Sequence, residues 1–485
     1  MSLPPRSSAA AAAGLSVALA VLSSIAHAQA PPRPESPWPI PARVGERALL
    51  ESATPPALSR QRYDLPGLID LAERSNPDTR AAWEGARAAA AAVGLVQSSY
   101  LPQLSLQAIG GFQRTPLAAP KDLVAEGYFI SNTREVIPAL AMKWLLFDFG
   151  QRDAKREAAR AESFVANVNF TGTHQKIIFA VSQAYFELGA AHGRLRAAEA
   201  ALRAALISQD AAKTQRAQGL ATVVAVAQAD RQVAQARYTV AQAEGALTIA
   251  HANLVATLGI PPDTEIEVAD SSELAMPAIP SENVSSAIRE AMTQRPDIIA
   301  ALGAVDAAEA SLKAERRAYY PTISLGAQVF QNAGSVSSDG KPYSSIDKTG
   351  EGVLLSFSVP IFDGGERSSR VSAALANVRA VEAQLDATRD AAATQVVKSY
   401  NTLTTSLAQY EAACAVGAAA HTAYEAALRS YKAGVGTYTD LATEENAVAQ
   451  AENQIEDARA AAHTAAAGLA FAMGSIHTMP REASP

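Results

Sequence analysis

The sequence predicts an α+β protein built from two copies of one unit, with strands of membrane-crossing length, and three observations carry that prediction. Landmark residues recur at nearly constant separation along the 485 residues. Four runs of alternating apolar and polar residues are each about as long as a tilted strand needs to cross a bilayer. Two alanine-rich runs of 67 residues are too long for ordinary globular helices.

The duplication rests on spacing. Asn76-Pro77-Asp78 matches Arg295-Pro296-Asp297, and Tyr100-Leu101-Pro102 matches Tyr319-Tyr320-Pro321, both at an offset of 219. Asp148 matches Asp363, Gly219 matches Gly434 and Gly259 matches Gly474, all at 215. One four-residue length change between the prolines and the aspartates reconciles the two values. The implied units are 63–262 and 282–474, joined by a linker at 263–281 and followed by a tail at 475–485.

The N-terminus reads as an export signal over 1–28. Arg6 precedes the apolar stretch Ala9–Ile25, and Ala26-His27-Ala28 fits the small-x-small cleavage rule. Cleavage after Ala28 or after Ala30 both remain open. A retained membrane helix is the competing reading, and the Pro-rich segment that follows at once counts against it. Residues 29–62, rich in Pro, Arg and Glu and without a sustained period, are expected to form an extended or disordered arm. No cysteine sits at the junction to take a lipid, and Cys414, the only one, has no partner for an internal disulfide.

Each unit should begin with a helix, Leu65–Ser98 or Val284–Ala318, carrying an early proline and stopped by Tyr-x-Pro. Two strands follow. In the first unit Leu104, Leu106, Ala108, Gly110 and Phe112 share one face with Leu140, Met142, Trp144 and Leu146 of the partner strand. In the second, Ile323, Leu325, Ala327 and Val329 pair with Leu355, Phe357, Val359 and Ile361. Loops are expected at 114–137 and 331–352. The strands end at two joints, Leu-Phe-Asp148-Phe-Gly150 and Ile-Phe-Asp363-Gly364-Gly365. There each Asp is a good N-cap and the glycines permit a sharp turn.

Beyond the joints, Gln151–Ala217 and Glu366–Lys432 would each reach about 100 Å as helices. Val181, Leu188, Leu195 and Leu202 step by seven, with Tyr185 and Leu206 interleaved. The return stretches repeat the period: Val226, Val233, Val240, Leu247 and Leu254, then Leu441, Val448, Ile455, Ala462 and Leu469. With 48% hydrophobic residues but only 6% aromatic, this is the composition of close-packed antiparallel coiled coils. Gly219 and Gly434 are the natural hairpin tips.

Four strands cannot close a barrel, and open strand edges cannot persist in lipid. Several chains must therefore pool their strands if these cross a membrane. The export signal, and a remaining chain without an apolar spanning helix, point to a bacterial-type outer membrane. The joints, the Tyr-x-Pro strand starts, Arg295-Pro296-Asp297 and the tandem halves resemble the TolC family of outer membrane efflux proteins, from about Tyr63 to Gly474. The resemblance implies a tandem-repeat protomer of a homotrimer, with a 12-stranded outer-membrane β-barrel continued by a periplasmic α-barrel. It also implies a periplasmic adaptor protein and an inner-membrane ABC or RND transporter as partners.

No catalytic constellation appears among the seven histidines and one cysteine, so no enzyme, cofactor or metal site is expected. A net charge of −7 and the lack of a Lys/Arg block argue against nucleic acid. His192 and His421 fall in seam registers and read as satisfied interface residues. The resemblance places adaptor contacts at the tips, on Gly219, Leu220, Gly434 and Val435. It places a periplasmic pore constriction at Tyr431 and Asp440; the bland reading of Asp440 is a solvated residue at a helix N-terminus. The family's tip latch is missing, with Gly436 where an Arg would stand and Ala225 where its Asp partner would be. The expected function is an export duct, leaning to type I protein secretion because the lipid-attachment cysteine is absent. Small-molecule efflux is the alternative, and a soluble periplasmic coiled-coil scaffold the reading from another class.

Overall fold

The computed structural model describes residues 62–122, 124–279, 283–338 and 341–476. The expected export signal, the arm up to Gln61 and all but the first two residues of the C-terminal tail lie outside the described residues. In chain order the elements are α1 (Leu65–Ser75), α2 (Pro77–Ser98), β1 (Gln103–Ala118), β2 (Tyr128–Phe147), α3 (Gln151–Ala217) and α4 (Val223–Thr257). The second unit repeats them as α5 (Val284–Gln294), α6 (Pro296–Arg317), β3 (Thr322–Ser338), β4 (Ser344–Ser358), α7 (Glu366–Lys432) and α8 (Tyr438–Met473).

The first helix of each unit is two helices rather than one. Proline disfavours helical geometry in the residue before it, and Asn76 and Arg295 are both extended, with ψ of 126° and 125°. Asn76 ends α1 and caps α2, its Oδ1 accepting from Asp78 N at 2.8 Å. The distant end of the same unit packs on this break. Gly259 (φ +76°) leaves so little room that a Cβ there would lie 2.6 Å from Asn76 Cα. Gly474 (φ +78°) likewise abuts Arg295 N, at 2.9 Å. Landmarks that recur in sequence therefore meet in space.

The strands form one antiparallel sheet in the order β1-β2-β3-β4. At 16, 20, 17 and 15 residues they are longer than the roughly ten expected, and the expected loops shrink because the ladder runs on through their Ser, Thr, Asn and Gly residues. The two faces separate as predicted. Leu104 opposes Met142, Leu106 opposes Leu140, Trp144 opposes Leu325 and Leu325 opposes Leu355 on the apolar face. Ser105 opposes Ala141 and Ser324 opposes Ser356 on the other. A bulge corrects one residue: Leu145 opposes Ser324 and Phe147 opposes Ile323, so Phe147, and not Leu146, completes the apolar face. Val359 and Ile361 lie beyond the end of β4. Among the described residues β1 and β4 keep their outer edges unpaired.

The joints differ from expectation in detail. The N-caps of α3 and α7 are Gly150 (φ +84°) and Gly365 (φ +91°), and neither Asp is itself the cap. The aspartates stand two residues earlier and reach over the turn. Asp148 accepts from Gly150 N at 3.2 Å and Arg152 N at 2.8 Å, and pairs with Arg152 Nε at 3.0 Å. Arg152 also donates to the carbonyls of Ser99, Leu145 and Leu146, stitching the end of β2 to the start of α3. Asp363 and Arg367 repeat the arrangement, with Arg367 on Pro360 O at 2.8 Å. Arg367 holds the Asp363 carboxyl below the usual carboxylate range.

The two 67-residue helices have the expected bounds. Their seams carry thin alanine-rich packing, with Val181, Ala205, Ala212, Ala229, Leu254 and Val396 fully buried. Leu206 is exposed and Leu195 and Leu202 are only half-buried. A helix of 3.6 residues per turn drifts away from a strict seven-residue repeat, and the buried set moves to Ala198, Ala205 and Ala212.

Asp148 and Arg152 are about nine-tenths buried or more, and removing one member of a buried pair strands the other charge. Asp148→Ala should therefore cost about 3 kcal/mol, and Asp363→Ala less, because its pair is more open to solvent. Thermal unfolding followed by circular dichroism would measure both. Equal losses at the two joints would show that burial of the pair is not what holds the first one.

Candidate functional site

The ends of the long hairpins gather most of the predicted functional residues. Both turns have the same geometry. Gly219 (φ +75°) donates to Arg216 O at 3.0 Å and Leu220 N to Gln215 O at 2.9 Å. Gly434 (φ +76°) donates to Tyr431 O at 3.0 Å and Val435 N to Ser430 O at 3.1 Å. This double bond pattern closes a helix with a left-handed residue that glycine adopts freely. Nothing lies within 4 Å of a Cβ built at either glycine. The glycines thus set the turn, and the side chains on offer are Leu220 and Val435, which are 67% and 83% exposed, with Val223 and Val224 beside them. Isolated exposed leucines need no explanation, but apolar residues clustered at a helical tip mark a contact surface.

Thr222 and Thr437 start the return helices as N-caps. Thr437 forms a reciprocal box with Asp440: Asp440 N donates to Thr437 Oγ1 at 3.2 Å, and the Asp440 carboxylate accepts from Thr437 Oγ1 at 2.7 Å and Thr437 N at 3.3 Å. Asp440 is exposed and its carboxylate stabilises the start of α8. Tyr431 is elsewhere. Its ring is only 3% exposed, packed edge-on against Tyr438 with centroids 5.8 Å apart and surrounded by Ala212, Val226, Ala229 and Leu441. Within the protomer Asp440 thus lies on the surface and the Tyr431 ring inside the tip.

That interior ties the two hairpins of the protomer together through polar contacts that spacing alone did not reveal. Gln215 of α3 donates to the Tyr431 carbonyl of α7. Ser208 of α3 donates to Glu445 of α8 at 2.9 Å, and Gln232 of α4 to Asn446 of α8 at 2.8 Å. The only sequence signal was that Ser208 and Gln215 stand seven apart on a seam. Glu445 is 3% exposed, and burial raises its carboxyl above the usual range against the opposing pull of the Ser208 hydroxyl. Burial and the nearby Glu445 push the Tyr438 hydroxyl up to about 12. The hydroxyls of Tyr431 and Tyr438 are buried without a hydrogen-bond partner among the described residues. At Gly436 a Cβ would already lie 3.1 Å from Ser430 Cβ. His421 meets Glu452 at 2.6 Å across the second hairpin, and His192 lies exposed with Nδ1 3.1 Å from Leu188 O.

A carboxyl raised in the folded state binds its proton more tightly there than in the open chain. The tip is then most stable below the open-chain value, and that advantage is lost as pH rises through the folded value. Glu445→Gln should slow hydrogen exchange across 438–448 at neutral pH. Its advantage over the native chain should vanish only about a unit below the open-chain value of about 4.3, where the carboxyl is protonated in both states. Faster exchange in the variant at neutral pH would overturn this assignment.

The sequence profile described as "Outer membrane efflux protein" matches residues 68–260 and 287–475, the two repeats in turn. The protein CyaE of Bordetella pertussis is 31% identical over 414 residues, covering 85% of this chain and 81% of its own. The cation efflux system protein CusC of Escherichia coli O157:H7 is 25% identical over 314 residues, 63% of each chain. The alkaline protease secretion protein AprF of Pseudomonas aeruginosa is 25% identical over 356 residues, 70% of each. In three dimensions the chain superposes on the Campylobacter jejuni CmeC outer membrane channel with a TM-score of 0.71, at 19% identity, covering 92% of this chain and 94% of that one. With both repeats matched, the chain belongs to the outer membrane efflux protein family.

Proposed function

We propose that three copies of this chain pool four strands each into one barrel, and that the barrel and helical tunnel together form the exit duct of a tripartite export system. The observation that carries this reading is the sheet itself, apolar on one face and open at both outer edges. Lipid tolerates no unpaired edge, so β1 of one copy must meet β4 of the next. The outer membrane is the site of action. An inner-membrane transporter would supply the energy and a periplasmic adaptor would grip the tips, where exposed Leu220 and Val435 flank the turns at Gly219 and Gly434.

For cargo we favour type I, ABC-driven protein secretion, supported by the likeness to AprF and by the lack of a cysteine at the processing site. Efflux of small molecules or ions by an RND pump is the second reading, supported by the likeness to CusC at the same identity. Three copies of exposed Asp440 around one axis would repel each other and favour cations at the entrance.

A deletion strain scored for both secreted protein and drug or metal susceptibility separates the cargoes: loss of secretion alone names the first, gain of susceptibility alone the second. Recovery of the chain as a soluble periplasmic monomer after fractionation would sink the duct altogether. Leu220→Asp with Val435→Asp should cut export at least tenfold while leaving the trimer intact, since a charge at the centre of an apolar contact costs a few kcal/mol. Undiminished export by that variant would remove the adaptor role from these residues.

A further inference from the structure

The two repeats differ where the sheet hands over to the helices, and the difference gathers in one cleft. Between the first turns of α3 and the last turns of α6 lies a cleft of roughly 860 Å³. Arg316, Arg317 and Tyr320 line its sheet-proximal end. Lys313 pairs with Glu157 at 2.7 Å, which neutralises that carboxylate. Glu309 and Asp306 stand farther along α6, about 10 Å and about 15 Å from Arg316. The cleft is thus positive at the sheet end. Arg317 donates to Gly150 O at 2.9 Å, whereas Arg316 is exposed with no acidic partner among the described residues.

The same end of the cleft is continuous with the apolar face of the sheet. Phe147 opposes Ile323 on that face. Its ring meets Phe149 edge-on at 4.7 Å, and Phe149 stacks on Tyr320 at 5.9 Å. Aromatic girdles of this kind mark the boundary between hydrocarbon and head groups. A lipid whose chains lie against Phe147 would carry its phosphate to the level of Tyr320 and Arg316.

Architecture alone does not require these residues, and the duplication provides the comparison. At the offset of 219, Lys313, Arg316, Arg317 and Tyr320 correspond to Gly94, Gln97, Ser98 and Leu101. At the offset of 215, Phe149 corresponds to Gly364. Phe149 holds a left-handed backbone (φ +51°) where its counterpart is a glycine (φ +66°). The chain keeps a bulky ring in a conformation that disfavours one. One joint has been furnished with an aromatic ring and basic side chains that the other does without.

We infer that this cleft binds the anionic head group of a phospholipid from the periplasmic leaflet, with Arg316 and Arg317 on the phosphate and the Phe147–Phe149–Tyr320 stack beside the chains. Arg is suited to the task because its planar fork meets phosphate oxygens in pairs. The inference rests on the outer-membrane reading and adds to it one lipid site per protomer.

The test uses the full-length protein in detergent, with phosphatidylglycerol and phosphatidylcholine of identical chains added in equal amounts and bound lipid counted by native mass spectrometry. The native chain should prefer phosphatidylglycerol, and Arg316→Gln should lower the preference about fivefold. Arg316→Lys should retain most of it, and Arg203→Gln, far along α3, should leave it unchanged. No preference in the native chain, no change in Arg316→Gln, or an equal fall in Arg203→Gln would overturn the site. The same spectra report assembly: a trimer without lipid preference defeats this inference alone, whereas absence of a trimer defeats the duct reading first.

Discussion

A backbone hydrogen-bonding group left open in lipid has nowhere else to turn, and from that single constraint most of this architecture follows. Four strands per chain bond each other along three ladders and still leave the two outer edges bare. The apolar face is built for lipid, so those edges must be closed by other copies of the chain. A ring of chains with an alternating sheet leaves the polar face inside, where Ser105, Gln107, Ser324 and Ser356 lie. The helices, joined to the strands without a flexible linker, must then continue as a ring of their own.

Whether they can do so depends on the joints. Strand and helix demand different backbone geometry, and the change is made within three residues at the first joint and seven at the second. Left-handed glycines turn the chain, and the following arginine reaches back to carbonyls at and beyond the end of the strand. Asp148 offsets the charge that this buries. The arginine is thus as much a part of the strand's end as of the helix's start. That is why rigid attachment is possible without a larger core at the hand-over.

Much of this was legible in the sequence, for reasons that differ by element. The bounds of the long helices were readable because a glycine-containing joint and a left-handed glycine tip punctuate each one sharply. The strand faces were readable because period two leaves little choice. The helical break before Pro77 and Pro296 was missed because the apolar period runs through it, while the local backbone obeys the proline. The extra strand length was missed because ladder bonding continues where hydrophobic alternation stops. Leu146 was misassigned because a bulge shifts the pairing by one residue and composition gives no sign of it. At the tips the glycines followed from turn chemistry, whereas Leu220, Val435 and Asp440 came from the family resemblance. The burial of Tyr431 did not, since it depends on four helices meeting from distant parts of the chain.

Duplication is usually read as a source of symmetry, yet here it is most informative where symmetry fails. Positions kept in both halves, such as the aspartate–arginine joints, the tip glycines and the glycines that pack on the X-Pro breaks, are those the shared architecture needs. Positions that differ have been released from that need. Phe149 against Gly364, and Arg316 and Arg317 against Gln97 and Ser98, lie where the sheet hands over to the helices in a chain that otherwise repeats itself. The tip shows the same division, with both turns alike in backbone while Tyr431, Tyr438 and Glu445 give the second hairpin an interior that Gln215 and Ser208 of the first can only serve. A sixfold scaffold in the proposed trimer thereby becomes threefold in function, and the departures from the repeat are where lipid, cargo and partner recognition are to be sought.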